Sequence, residues 1–183
     1  MNIKIKDIIK FGQYNWQVLG VHDNKALLLL DGLLKKPRWY HDKKEPVTWE
    51  TCKLREWLNN KWLNRKFNAR EQDCILEVIN PNNDNPEYKT DGGYVTEDKV
   101  FLLSIDEYEL YKDIINNAAS WWWLRSPGID PSFAANVDFD GYLFLFGSLV
   151  SWSGVVGGGV RPALWLNLES YRNMGVQNEQ KHI

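Results

Sequence analysis

From Phe11 to Gly20 the apolar residues Tyr14, Trp16 and Val18 alternate with polar Asn15 and Gln17, the period-two pattern of a strand with one buried face. His22-Asp23-Asn24-Lys25 is turn-like, and Ala26 to Leu30 is a wholly apolar run that suits a strand buried on both faces. Together they predict a hairpin. Residues 31–47 carry Gly32, Pro37, Pro46 and many charges, which predicts an irregular connection. Thr48 is a candidate cap for a helix reaching about Arg65, because Leu54, Trp57, Leu58 and Trp62 fall on one face at spacings of three and four. That face is expected against the hairpin. Asn68 followed by Glu71 marks the start of a shorter helix that buries Cys74, Ile75 and Val78 and stops before Pro81. Residues 80–93 form a loop dense in Asn, Pro and Gly. Val100 to Leu103 predicts a further short strand. Ser104 with Glu107 makes a capping box before a helix on which Ile105, Tyr108, Tyr111 and Ile115 share a face.

The pattern changes character at Trp121. From there every signal is strand or turn: Asp140-Gly141 is a hairpin dipeptide, Gly157-Gly158-Gly159 demands unusual backbone, and Val160 to Leu168 reads as a final strand. Helices first and an irregular β region last give an α+β class, with helices packed on small antiparallel sheets. Residues 1–170 fit one domain, and the polar residues 171–183 read as a tail whose last ten positions fray.

Within the β region, the blocks WWWLRSPG and GGGVRPALWL enclose a stretch in which small residues (Ala134, Ala135, Gly141, Gly147, Val150, Gly154) punctuate positions of another kind. Ile129, Asp130, Ser132, Phe133, Asp138, Phe139, Tyr142, Phe144, Leu145, Phe146, Ser148, Leu149, Ser151, Trp152 and Ser153 follow no single amphipathic period. Their composition suits a contact surface, since Tyr, Phe and Trp offer large rigid area at low entropic cost while Ser adapts. Tyr142, Phe144 and Phe146 share one face of a strand, with Leu143 and Leu145 on the other. One face suits core; burying both requires a sandwiched strand.

Composition sharpens this picture. The chain has 183 residues with 10 Trp, 8 Tyr and 7 Phe and a net charge of -2. Large aromatics dominate both cores and interface hot spots, so some are expected to face outward. With no basic field, nucleic-acid binding is disfavoured. The first residues lack an uninterrupted apolar run and a small-residue cleavage site, so no signal peptide is predicted. No run approaches a membrane span, and the chain is expected to be soluble, in the cytoplasm or associated with a phage particle. Cys52 and Cys74 are expected as buried free thiols rather than a disulfide.

The blocks WWWLRSPG, AANV, DG and GVRPALWL, with FGQYNWQVLG, ALLLLDG, TWETCKLREWLNN and VFLLSIDEYELY upstream, resemble a family of uncharacterised gut-bacterial and phage domains. The resemblance covers about residues 11–168. It implies a C-type lectin-like fold and a variable protein of a diversity-generating retroelement, in which misread template adenines turn Asn codons into many residues. Changing the first two bases of an Asn codon reaches Ile, Asp, Ser, Phe, Tyr, Leu and Val, a set that includes nearly all the residues found at the positions named above. Trp152 departs from this pattern, since its codon does not arise that way. The segment 129–153 is then a diversified surface for a ligand, expected to be an unknown protein, on a non-enzymatic scaffold.

Other chemistry is less well supported. The lectin-like superfamily includes formylglycine-generating enzymes, whose final strands resemble Gly159-Val160-Arg161, but those use a late cysteine pair and this chain has no Cys beyond Cys74. A small-molecule binder, an enzyme of that superfamily, or a structural domain of a phage or larger assembly remain the alternatives. Gly157–Gly159 lack the Lys-Ser/Thr of a phosphate loop. Asp138 and Asp140 are a candidate acid-base pair, with a turn role for Asp140 favoured. His22, His41 and His182 show no zinc spacing and are expected in solvent. Asn82, Asn83, Asp84, Asn85 and Glu87 form the one dense oxygen cluster, read as a flexible loop rather than a calcium site. Neither a cofactor nor a metal is expected. Arg125 and Arg161 are expected as buried scaffold arginines that bond carbonyls, with those of the variable loops as the candidate partners.

Overall fold

The computed structural model of the protein describes residues 2–151 and 159–179. The chain opens with β1 (Ile8–Phe11), β2 (Tyr14–His22) and β3 (Lys25–Leu30). A strand before Phe11 was not predicted, because the sequence Ile8-Ile9-Lys10 lacks clean alternation; pairing of Ile9 with Trp16 and Phe11 with Tyr14 forms it instead. Between β2 and β3, Asp23 and Asn24 take left-handed backbone (φ 45° and 63°), the geometry of a tight hairpin turn. Ala26 through Leu30 are buried, as an apolar run predicts.

After the irregular stretch 31–52 come α1 (Lys53–Trp57), a π-helical turn (Leu58–Trp62), α2 (Leu63–Lys66) and α3 (Ala69–Cys74). The cap of α1 is Cys52, not Thr48: its Sγ accepts from the Arg55 amide at 3.3 Å. Leu54, Leu58 and Trp62 are buried as expected, and Trp62 meets Tyr14 of β2 at 5.5 Å between ring centroids. The Asn68–Glu71 capping box is present. This helix ends sooner than predicted, however, because Ile75 and Leu76 leave it to form β4 (Ile75–Leu76), and Val78 joins β5 (Val78–Asn80). β6 (Thr96–Asp98) pairs with β5, while the expected strand at Val100–Leu103 is a buried extended run with one bridge, Phe101 to Ala163. Ser104 and Glu107 cap α4 (Ile105–Tyr111), which stops one turn short of Ile115.

The later chain supplies β7 (Trp122–Pro127), β8 (Phe133–Val137), β9 (Leu143–Leu149) and β10 (Ala163–Asn167), followed by α5 (Leu168–Glu179). β10 inserts between β3 and β4, closing a five-stranded sheet in the order β1-β2-β3-β10-β4. β7, β8 and β9 form a separate antiparallel sheet. The result is a mixed α+β molecule of small antiparallel sheets and few helices. α5 replaces the expected polar tail over residues 171–179. Asn167 Oδ1 caps it by accepting from the amides of Glu169 and Ser170 (both 3.0 Å), and Tyr171 donates to the carbonyl of Lys10 at 3.0 Å. Leu168 is buried and Met174 packs against the core beside Tyr171, so a few apolar anchors and a cap hold a helix that is otherwise polar. Among the described residues no helix is long and apolar enough to cross a membrane.

Both cysteines are free and buried. Burial pushes the Cys52 thiol up from its ordinary 9.0 to about 12, and raises Cys74 as well. Two results are expected. Ellman's reagent at pH 8 should react with neither thiol in the native protein and with both in urea. Between pH 9 and about 12 the unfolded chain gives up the Cys52 proton while the fold retains it, so this group removes stability as pH rises through that window.

Candidate functional site

β9 is the outer strand of the sheet β7-β8-β9. Its register with β8 is irregular: Asn136 faces Phe144, but Ala134 faces Ser148, so β9 carries extra residues that bulge outward. Gly147 makes the bulge possible. Its φ is +78°, and a Cβ there would lie 2.3 Å from the carbonyl oxygen of Ala134, so no other residue fits without moving β8. Gly128 is held as closely, with the Phe146 carbonyl 2.4 Å from where its Cβ would stand. At the other end of β9 the reversal from β8 is organised by Asp138, whose Oδ1 accepts from the amides of Asp140 and Tyr142 at 2.9 and 2.8 Å. The candidate acid-base pair is therefore a turn in which Asp138, rather than Asp140, holds the backbone.

On this frame the side chains of Phe139, Tyr142, Phe144 and Phe146 are 60, 65, 46 and 42% exposed. Leu143 and Leu145, on the opposite face, pack against the core. The aromatics form a row: Tyr142 and Phe144 are 6.5 Å apart by ring centroids, Phe144 and Phe146 6.4 Å, and Phe146 meets Phe133 edge-on at 5.4 Å. Tyr88, from a different part of the chain, extends the row, edge-on to Phe146 at 6.2 Å.

The remaining positions singled out in the sequence do other work. Asp130 Oδ1 accepts from the Ser132 amide at 2.7 Å and hydroxyl at 2.6 Å, fixing the loop between β7 and β8. Ser148 Oγ accepts from Asn136 Nδ2 at 3.0 Å. Ile129, Leu149 and Ser151 are half-buried. Trp152 and Ser153 lie outside the described residues, as do Gly154, Gly157, Gly158 and His182.

Two neighbouring stretches, 81–95 and 31–52, brace this surface, a role that their loop-like sequences do not signal. The loop 81–95 is pinned rather than flexible. Asn85 is fully buried; its Nδ2 donates to the carbonyls of Pro127 and Leu145 (both 2.9 Å), while its Oδ1 accepts from the amides of Glu87 and Tyr88 (both 3.0 Å). Thr90 Oγ1 donates to the Ile129 carbonyl at 2.9 Å. Val47 donates its amide to Pro131, and His41 its amide to Val150, at 2.9 and 3.0 Å. The Asn85-Pro86 pair signals an Asx turn, but nothing local signals that Asn85 is buried. His41 is also buried, contrary to expectation, with Nε2 3.0 Å from Glu45 Oε1 and 3.5 Å from Asp42 Oδ1; His22 is exposed as expected.

The two arginines are scaffold, and among the described residues neither bonds the variable loops. Arg125 donates to the carbonyls of Leu102 (2.8 Å) and Pro81 (3.2 Å), and pairs with Glu107. Arg161 donates to the carbonyls of Leu30 and Asn116 at 2.9 and 2.8 Å, and burial pulls its guanidinium down to about 10. Among the described residues no group of three or more His, Cys, Asp or Glu is placed to hold a metal ion.

These features define an α+β domain that displays an aromatic outer strand on a braced frame. The chain belongs to the family described as Domain of unknown function (DUF6273), whose model matches residues 23–168. No curated protein and no solved structure matches the chain.

Proposed function

We propose that the chain is a non-enzymatic ligand-binding protein: a C-type lectin-like scaffold whose segment from Ile129 to Ser153 is the diversified surface of a retroelement variable protein, with a protein as ligand. The aromatic row Tyr142-Phe144-Phe146, with Phe139 beside it, carries this reading. Partly exposed rings, each of roughly 150–250 Å² in full, together present on the order of 400 Å², about half of what one partner buries in a standard interface. A row of that length suits a macromolecule. The resemblance to diversified proteins fits the same division of labour, because Gly128, Gly147 and the buried Ala134 and Ala135 leave no room for variation while the row does.

Two measurements test it. Replacing Tyr142, Phe144 and Phe146 together with Ser should lower stability by less than about 1.5 kcal/mol in urea titration, at about 0.5 kcal/mol per surface site. Were these rings core, each loss would cost about 3–5 kcal/mol and the domain would unfold. Sequencing the last third of the gene across many related cells or phages should find substitutions confined to residues 129–153 and to codons with template adenines. A segment as invariant as its flanks would remove the reading.

A further inference from the structure

We propose that the cleft between residues 38–42 and the α1 region is a second binding site, for a small monocarboxylate carried on a flat ring. It shares no residue with the aromatic row. The cleft encloses about 380 Å³ and is lined in part by Arg38, Trp39, Asp42, Lys53, Glu56 and Trp57, a volume within the range of small-ligand sites.

Its backbone is anchored on both sides of Trp39. The Arg38 carbonyl accepts from Trp123 Nε1 at 3.0 Å, the Tyr40 carbonyl accepts from the Leu54 amide at 3.1 Å, and the Tyr40 hydroxyl donates to the Arg125 carbonyl at 2.8 Å. Trp39, between these anchors, is 51% exposed at the cleft. Its indole is thus held at the cleft by fixed main chain as an exposed flat surface.

Arg38 supplies the complementary charge. Its guanidinium lies 3.7 Å from the centroid of the Trp57 ring, and among the described residues it has no hydrogen-bond or ion-pair partner. Lys53, by contrast, is already paired with Glu56 at 2.9 Å. Arg38 is exposed, and the part of its guanidinium covered within the cleft lowers its pKa from the ordinary value. Stacking fixes the plane of the guanidinium, and its planar fork of N–H donors matches the two oxygens of a carboxylate. Phosphate offers the same oxygens but no flat ring for Trp39, and its second negative charge would face Asp42 and Glu56 beside the Lys61 that also lines the cleft. The monoanion is favoured.

The test uses benzoate as probe, followed by calorimetry and by the indole N–H resonances of the full chain. Benzoate should bind saturably and shift the Trp39 resonance, while neutral benzamide and inorganic phosphate should each bind at least about tenfold more weakly. Arg38→Lys keeps the charge but loses the fork and should weaken benzoate by about tenfold; Trp39→Ala should weaken it similarly. Both positions are exposed, and circular dichroism checks that the variants fold. Phe146→Ser should bind benzoate unchanged. Absence of saturation, equal binding of phosphate, or an unaffected Arg38→Lys would each overturn the proposal, as would loss of benzoate binding in Phe146→Ser, which would move the probe to β9.

Discussion

Replacing Asp98 with Ala should cost about 3–5 kcal/mol of folding stability, the largest effect expected of any single substitution discussed for this protein. Asp98 ends β6 and is almost completely buried. Its Oδ2 accepts from Trp49 Nε1 (3.0 Å), Asn80 Nδ2 (3.1 Å) and Thr96 Oγ1 (2.8 Å), and its Oδ1 from Arg55 Nε (2.6 Å) and Asn59 Nδ2 (3.2 Å). Taking a carboxylate out of water is costly, and here five donors from four parts of the chain offset that cost. Removing the acceptor leaves buried donors with no partner and Arg55 without its counter-charge, and an unsatisfied buried group costs about 1–3 kcal/mol. Urea unfolding of Asp98→Ala measures the loss. A decrease under about 1 kcal/mol would mean that water replaces the carboxylate, and the account of Asp98 as the tie between α1 and the β5-β6 pair would fail.

The second large effect is expected at Asn85, and it separates stability from surface geometry. Asn85→Ala removes four hydrogen bonds at a fully buried position, for a loss of roughly 2–4 kcal/mol if each contributes about 0.5–1.5 kcal/mol and some partners recover water. Asn85→Asp is the more informative change. An ionised carboxylate still accepts from the amides of Glu87 and Tyr88, but donates nothing to Pro127 and Leu145 and places a negative oxygen against their carbonyls. Hydrogen exchange should then show β9 and the start of the β7–β8 loop losing protection while the five-stranded sheet keeps its own. Uniform loss across both sheets would mean that Asn85 supports the whole fold rather than this surface.

What could be read from sequence was what is local. The capping boxes Asn68–Glu71 and Ser104–Glu107, the Asp23-Asn24 turn and the apolar strand from Ala26 to Leu30 each follow from neighbours within a few residues, and each is present. The two-faced character of β9 was legible because period-two alternation needs no knowledge of the partner. Elements that depend on distant chain were not. Ile75 and Leu76 continue a helical pattern, yet pairing with Leu166 and Trp165 draws them into β4. α5 is too polar to announce itself, and its anchors lie at Asn167 and at Lys10, far apart in sequence. Asn85 sits in a run that composition marks as solvent loop, and only the carbonyls of Pro127 and Leu145, 42 and 60 residues away, make it interior. The cleft at Arg38 and Trp39 likewise depends on where α1 comes to rest.

The two ends of the β region are tied together at one point. Trp123 donates its amide to the Gly159 carbonyl at 3.1 Å, and the Gly159 amide donates to the Trp121 carbonyl at 2.7 Å. The chain between them is a lariat tied at its neck. The entropy of closing such a ring grows only with the logarithm of its length, by about 0.6 kcal/mol for each doubling, and the neck itself is indifferent to how many residues lie beyond it. Inserting or deleting a few residues near the outer turn at Asp140-Gly141 is therefore expected to disturb the five-stranded sheet little, the direct loss being the bond that the Tyr108 hydroxyl donates to the Gly141 carbonyl at 2.6 Å.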